Sequence, residues 1–178
     1  MQPKKTSIKI EDNFLDQEQF ENIQRLLTGP SNFSWFFLDV IDFENEVDKF
    51  QFTHLFYIDS TPNNNSIQFV TPILEILKPL SIYRIKANLL TKTPKIIENE
   101  FHFDISDTTE EKMKEWTTSI FYVNTNNGYT KFEDGTRVES VANRMLTFPS
   151  NIKHTGTSCT DEKMRVVINF NYWGINNE

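Results

Sequence analysis

The sequence predicts a mainly β, α+β fold: a helical N-terminal layer packed against a C-terminal jelly-roll-like barrel. Three observations lead there. Two amphipathic helix patterns lie in the first 80 residues and none after them. From Ile82 onward, short β-branched and aromatic runs alternate with Asn, Gly, Asp and Pro turns. The 178 residues contain sixteen Phe and are 13% aromatic, enough to build a core rather than a disordered chain.

In chain order, Ser7 to Ile10 reads as a short first strand. Asp16 to Leu27 reads as a helix: Phe20, Ile23, Leu26 and Leu27 recur at helical spacing, Asp16 can cap the start and Gly29-Pro30 stops it. Phe33 to Val40 is aromatic and extended. Phe50 to Ile58 is a further strand, closed by the polar run Asp59 to Ser66. A second helix opens at Thr71-Pro72, with Thr71 as its cap and Pro72 at its first helical position. The expected barrel strands are Ile82–Leu90, Phe101–Ile105, Thr117–Asn124, Tyr129–Phe132, Thr136–Ser140, Arg144–Phe148, Lys153–Thr157 and Met164–Tyr172. No linker, repeat or low-complexity tract divides the chain. The expectation is one domain over 1–178, with 1–80 as the N-terminal layer and 82–172 as the barrel.

Composition narrows the function classes. A net charge of −7 disfavours non-specific nucleic-acid binding, which needs a basic footprint. Cys159 is the only cysteine, so no intramolecular disulfide can form. No stretch approaches the roughly 18 consecutive apolar residues of a membrane span. The N-terminus lacks the apolar core of a secretory signal. The expectation is a soluble, intracellular (cytoplasmic) protein without nucleic-acid or membrane partners.

The chemistry concentrates in few residues. The chain has three histidines, and His102-Phe103-Asp104 holds one of them. On a strand, a His-x-Asp pair projects to one face. His154 follows much later, after the turn Phe148-Pro149-Ser150-Asn151. Two imidazoles and a carboxylate on one face leave coordination positions open, which suits non-haem Fe(II). His-x-Asp alone is a common spacing; the weight comes from its company. Arg165 interrupts the apolar strand Met164 to Phe170, where an unpaired guanidinium is costly. His54 is read as structural or surface, since the metal set is complete without it.

At this point the sequence resembles the iron(II)- and 2-oxoglutarate-dependent dioxygenases, in their prolyl 4-hydroxylase-like branch. The resemblance runs from Ile82 to Tyr172 and rests on His102, Asp104, His154 and Arg165 in the family's order. Ser119-Ile120-Phe121-Tyr122-Val123-Asn124 and Gly128-Tyr129-Thr130-Lys131-Phe132 are similar to two further family strands. The resemblance implies a double-stranded β-helix (jelly-roll) barrel. It implies Fe(II) on His102, Asp104 and His154, with 2-oxoglutarate as co-substrate, O2 as oxidant and ascorbate as accessory reductant. It implies that Arg165 and Tyr122 hold the co-substrate's 5-carboxylate, with Asn169, Asn88 and Thr130 lining the same pocket. The implied reaction is hydroxylation of a C–H bond, in a peptidyl proline or in a small molecule.

Several readings stay open at this stage. Arg84, Lys86 and Asn88 share one strand face, which is either solvated or turned into the barrel. The polar segment 105–116 is either a lid or a surface segment. In the branch it resembles, that segment and the loop from Asn124 to Tyr129 lie near the active-site mouth. Glu133 and Asp134 belong to a hairpin turn. A cupin-like metal enzyme that does not use 2-oxoglutarate, and a non-catalytic interaction module, are the rival readings.

Overall fold

The computed structural model describes residues 8–41, 49–106 and 108–174. An eight-stranded antiparallel sheet forms the body of the molecule. Its strands are β1 (Lys9–Asp12), β2 (Phe36–Leu38), β3 (Gln51–Ile58), β4 (Thr61–Pro62), β5 (Ser81–Thr91), β6 (Thr117–Tyr122), β9 (Arg144–Pro149) and β11 (Met164–Trp173). Their spatial order is β1-β9-β6-β11-β5-β3-β2, with β4 paired to β3. A smaller sheet of β7 (Tyr129–Phe132), β8 (Arg137–Glu139) and β10 (His154–Gly156) runs in the order β10-β7-β8 and closes over it. The architecture is the jelly roll that the sequence predicts.

Strand periodicity explains the layering. On β6, Phe121, with Val123 just past the strand end, enters a core cluster with Phe20, Ile23 and Leu27 of α1 (Gln17–Thr28), while Ile120 and Tyr122 point the other way, onto Phe132, Val138 and Phe148. On β11, Val166, Ile168 and Phe170 face the helix layer. The alternate residues Arg165, Val167, Asn169 and Asn171 therefore face the barrel interior. The pattern repeats on β5, where Ile85, Ala87 and Leu89 join the helix-side core and Arg84, Lys86, Asn88 and Leu90 line the interior. This resolves the open reading of that polar face: it is turned inward.

The helices follow their caps. Asp16 accepts the Gln19 amide at 2.9 Å, and the Gly29 amide closes the last turn on the Arg25 carbonyl at 3.0 Å. The second helix departs from expectation. A 3₁₀ turn, Asn65–Val70, precedes α2 (Thr71–Leu77), so Val70 rather than Thr71 occupies the cap position. Helical geometry starts earlier because the Asn64 side chain accepts the Ser66 amide at 2.7 Å. The polar run after β3 also contains β4, joined through Asp59 and Ser60 at φ 51° and 62°.

One expected strand is absent. Phe101–Ile105 forms only an isolated bridge, His102 to His154. Three hydrogen-bond donors hold Asp104, as described below, and they draw the segment off any extended ladder. A four-residue helix, α3 (Glu110–Met113), follows it and was not expected. The start of the first expected strand, Ser7, lies outside the described residues, as does Asp107. No helix among the described residues is long and apolar enough to cross a membrane.

Candidate metal centre

His102, Asp104 and His154 converge, with one ligand atom from each within 4.8 Å of the others. The bridge between the two histidine residues makes the convergence: the His102 amide donates to the His154 carbonyl at 3.0 Å, and the return bond is 3.2 Å. The imidazole rings lie 5.0 Å apart. His102 Nε2 is 3.7 Å from Asp104 Oδ1, and His154 Nε2 is 3.9 Å from Asp104 Oδ2. Each ring turns Nδ1 to a backbone carbonyl, His102 to Glu100 at 3.1 Å and His154 to Ile152 at 3.4 Å. Protonated Nδ1 leaves the Nε2 lone pair free for a metal.

Charge and protonation suit the same role. Burial between Phe148 and Phe132 pushes the His154 imidazole down to about 4, against the pull of Asp104. It is neutral, as a ligand must be. Burial alone would raise the Asp104 carboxyl; the His102 hydrogen bond, His154 and Arg84 override it and hold it well below the usual carboxylate range. Asn171 Nδ2 donates to Asp104 Oδ2 at 3.0 Å, and Asn169 Nδ2 does so at 3.2 Å. Arg84 Nη2 donates to the Asp104 backbone carbonyl at 2.9 Å and lies 3.6 Å from Oδ1. Asp104 is thereby ionised and fixed in orientation before any metal arrives.

These groups open into a cavity of about 700 Å³. Arg165 lies on its wall, 4% exposed, which makes its environment decisive. Nε donates to Ser140 Oγ at 2.9 Å and Nη2 to Thr130 Oγ1 at 3.3 Å. Among the described residues no carboxylate pairs with it, and burial pushes its guanidinium pKa down. A buried cation without an anion is an unfilled half of an ion pair. Thr130 Oγ1 also accepts the Tyr122 hydroxyl at 2.7 Å. With both lone pairs engaged, the Thr130 proton is the part left to face the cavity.

Tyr122 is fully buried, and its one hydroxyl proton goes to Thr130. In this arrangement it stands behind Thr130, which lines the cavity. Asn169 and Asn88 both line the cavity, but the Asn169 amide is turned to Asp104. The three buried side-chain polar atoms that lack a partner among the described residues are Arg84 Nε, Asn88 Oδ1 and Asn169 Oδ1. All three belong to cavity-lining residues, the pattern expected where bound groups complete the site.

The mouth is partly as expected. Ser106, Thr108, Glu110 and Met113 of the 105–116 segment line the cavity. The Asn124–Tyr129 loop does not. It lies behind Arg165: a Cβ on Gly128 would meet Arg165 Cδ at 2.7 Å. His54 is structural, bonded to Ser34 and Ser66 at 2.7 Å each and stacked on Phe33. Asp134 accepts the Thr136 amide in the β7–β8 hairpin. Arg84 on the metal-side carboxylate, Asn171 and Ser140 were not foreseen. Asn171 was detectable, two strand residues past Asn169 on the same face; Ser140 carried no sequence signal.

At the level of sequence, no family model and no curated protein matches the chain. Solved structures do match its fold. A prolyl hydroxylase from Trichoplax adhaerens, in complex with a hypoxia inducible factor oxygen degradation domain peptide fragment, superposes with TM-score 0.64 at 12% identity. That match covers 97% of this chain and 86% of that one. A Pseudomonas putida prolyl-4-hydroxylase gives 0.56 at 12% identity, over 95% and 93%. HygX from Streptomyces hygroscopicus, with nickel and 2-oxoglutarate bound, gives 0.60 at 8% identity, over 96% and 84%. The fold is that of the 2-oxoglutarate- and iron(II)-dependent oxygenases.

Proposed function

We propose that this chain is an Fe(II)- and 2-oxoglutarate-dependent oxygenase that hydroxylates a C–H bond. The observation that carries the proposal is the buried Arg165, which has no carboxylate partner among the described residues and shares one cavity with the His102, Asp104 and His154 cluster. Separately, each feature has a structural explanation. Together they match a divalent ion and an anionic co-substrate in the same space.

In this reading His102, Asp104 and His154 hold Fe(II), which supplies the oxygen-activating chemistry that couples 2-oxoglutarate, O2 and R–H to succinate, CO2 and R–OH. The chain's own work is binding and orientation. Neutral His154 and ionised Asp104 are ready to ligate without losing protons at neutral pH. Arg165 presents its planar fork to the distal carboxylate, and the Thr130 proton adds a second donor. Tyr122 fixes the direction of that proton by donating to Thr130. Phe132 and Phe148 pack on the His154 side and keep water from it.

A peptidyl proline is one substrate this reading accommodates, supported by the peptide-bound Trichoplax structure of the same fold. The charge of the cavity points to another class.

The test is reconstitution with Fe(II), ascorbate, O2 and 2-oxoglutarate. Slow succinate formation, and an anaerobic visible absorption band that needs both metal and 2-oxoglutarate, are the expected results. Failure of both, with protein that is folded, would overturn the proposal.

A further inference from the structure

We infer that the substrate is a small monocarboxylic acid whose carboxylate is held by Arg84, in place of an internal residue of a peptide. The inference rests on the metal and 2-oxoglutarate reading above.

Position comes first. Arg165 pairs in register with Leu90, and Asn171 pairs with Arg84. The two guanidinium-bearing residues thus sit six strand positions apart along β5 and β11, on the order of 20 Å between backbones. Asp104 is held between them, nearer the Arg84 end, by Asn169, Asn171 and Arg84 itself. If Arg165 takes the co-substrate, Arg84 stands on the other side of the metal, where a substrate must enter. Its side chain is 21% exposed and lines the cavity.

Charge comes second. Without metal, Arg84 is balanced by Asp104 at 3.6 Å. A bound divalent ion takes over that carboxylate. The ion, Asp104, the 2-oxoglutarate dianion and Arg165 then sum to neutrality, and Arg84 is left as a cation with no anion of its own. Of the other charged residues on the cavity wall, Lys153 has Glu133 at 3.8 Å, and Lys86 and Glu110 offset each other in sign. A substrate with one negative charge completes the balance; an uncharged peptide segment leaves a half-buried guanidinium uncompensated. This positive surplus lies inside a chain whose net charge is −7.

Shape comes third. Phe101, Phe103, Ile105 and Met113 line the same cavity. They offer an apolar surface for the body of the acid, with Arg84 fixing one end. A bound carboxylate is matched by a planar guanidinium better than by an ammonium.

The experiment uses the full chain loaded with Zn(II) and 2-oxoglutarate, so that nothing turns over. Ligand-observed NMR titrations compare matched acids and primary amides without an amino group: cyclopentanecarboxylate with cyclopentanecarboxamide, 4-methylpentanoate with 4-methylpentanamide, 3-phenylpropionate with 3-phenylpropionamide. An acetylated and amidated proline peptide is the competing class. In at least one pair the acid should bind about tenfold or more tighter than the amide, as expected for a hydrogen bond to a charged group. Arg84→Gln should close that gap with zinc still bound, and Arg84→Lys should restore part of it. Amides equal to acids, preference for the capped peptide, or no acid binding at millimolar concentration would overturn the inference. Binding of 2-oxoglutarate is read in the same samples. Its absence defeats the underlying reading; its presence with the acids failing defeats only this inference.

Discussion

Replacing Arg165 with methionine should separate function from stability in opposite directions. In the metal-free protein, the guanidinium is buried with two hydroxyl partners, Ser140 at 2.9 Å and Thr130 at 3.3 Å, and no carboxylate among the described residues. Removing an ion from water costs several kcal/mol, and two hydrogen bonds to a charged group return roughly 1.5–3 kcal/mol each. The two nearly cancel, and methionine keeps most of the packing volume. Arg165→Met should therefore leave the metal-free protein as stable as before or more stable by about 1–2 kcal/mol. For a chain of this size that shifts the melting temperature by about 2–8 °C. Affinity for 2-oxoglutarate should collapse, because one partner of a buried charge pair is gone. A loss of about 2–5 kcal/mol corresponds to roughly 30-fold to several-thousand-fold in Kd. Calorimetry of the metal-free proteins and titration of 2-oxoglutarate into Zn(II)-loaded proteins measure the two effects. A variant that melts far below the parent yet binds 2-oxoglutarate normally would refute the reasoning, because Arg165 would then be a structural cation.

Two further outcomes follow from the same geometry. Gly128→Ala places a Cβ 2.7 Å from Arg165 Cδ and 2.8 Å from the Ser158 carbonyl. The side chain of Arg165 must give way, so 2-oxoglutarate binding should weaken by tenfold or more, with about 1–3 kcal/mol of stability lost to overpacking, both read by the same titration and melt. The metal-free protein should also lose stability in mild acid. Its folded-state His154 value, about 4, lies below the ordinary 6.5, so the unfolded chain binds the proton more readily between them. Stability is fully present above about pH 6.5 and falls as the pH drops to 4, by roughly 3 kcal/mol in all. Melting curves across that window should show the decline, and His154→Gln should flatten it.

How much of this was legible in the sequence depended on the range of the cause. Period-2 alternation fixed the inward face of β11, so Arg165 and Asn169 could be placed together from spacing alone. Caps and breakers fixed α1, since Asp16 and Gly29 act within a turn of themselves. The failures are cases where a distant partner decides. Phe101–Ile105 has the composition of a strand, but Asp104 is claimed by Asn169, Asn171 and Arg84 from two other strands, and only the His102 bridge remains. Arg84 could be read as surface because Lys86 and Asn88 on the same strand face are polar; the carboxylate that draws it inward is 20 positions away. The resemblance singled out Tyr122, but the route of its proton depends on Thr130 across the barrel interior.

The same long-range contacts explain why the site is built on strands and not on the segment that carries two of its ligands. His102 and Asp104 come from a stretch with almost no ladder of its own, which would leave their positions loose. Each is therefore tied from outside: His102 to the His154 backbone through a pair of hydrogen bonds, Asp104 to three donors on β5 and β11. Those two strands share the longest register among the described residues, from Met164↔Thr91 to Trp173↔Ser81. The rigid element thus holds the ligand carboxylate, the Arg165 end and the Arg84 end in one frame. The 105–116 segment lines the cavity mouth, while Asp104 is fixed relative to Arg165 by the Asn171 and Asn169 bonds to β11. That arrangement separates access from coordination, which a site with a mobile ligand-bearing segment otherwise confounds.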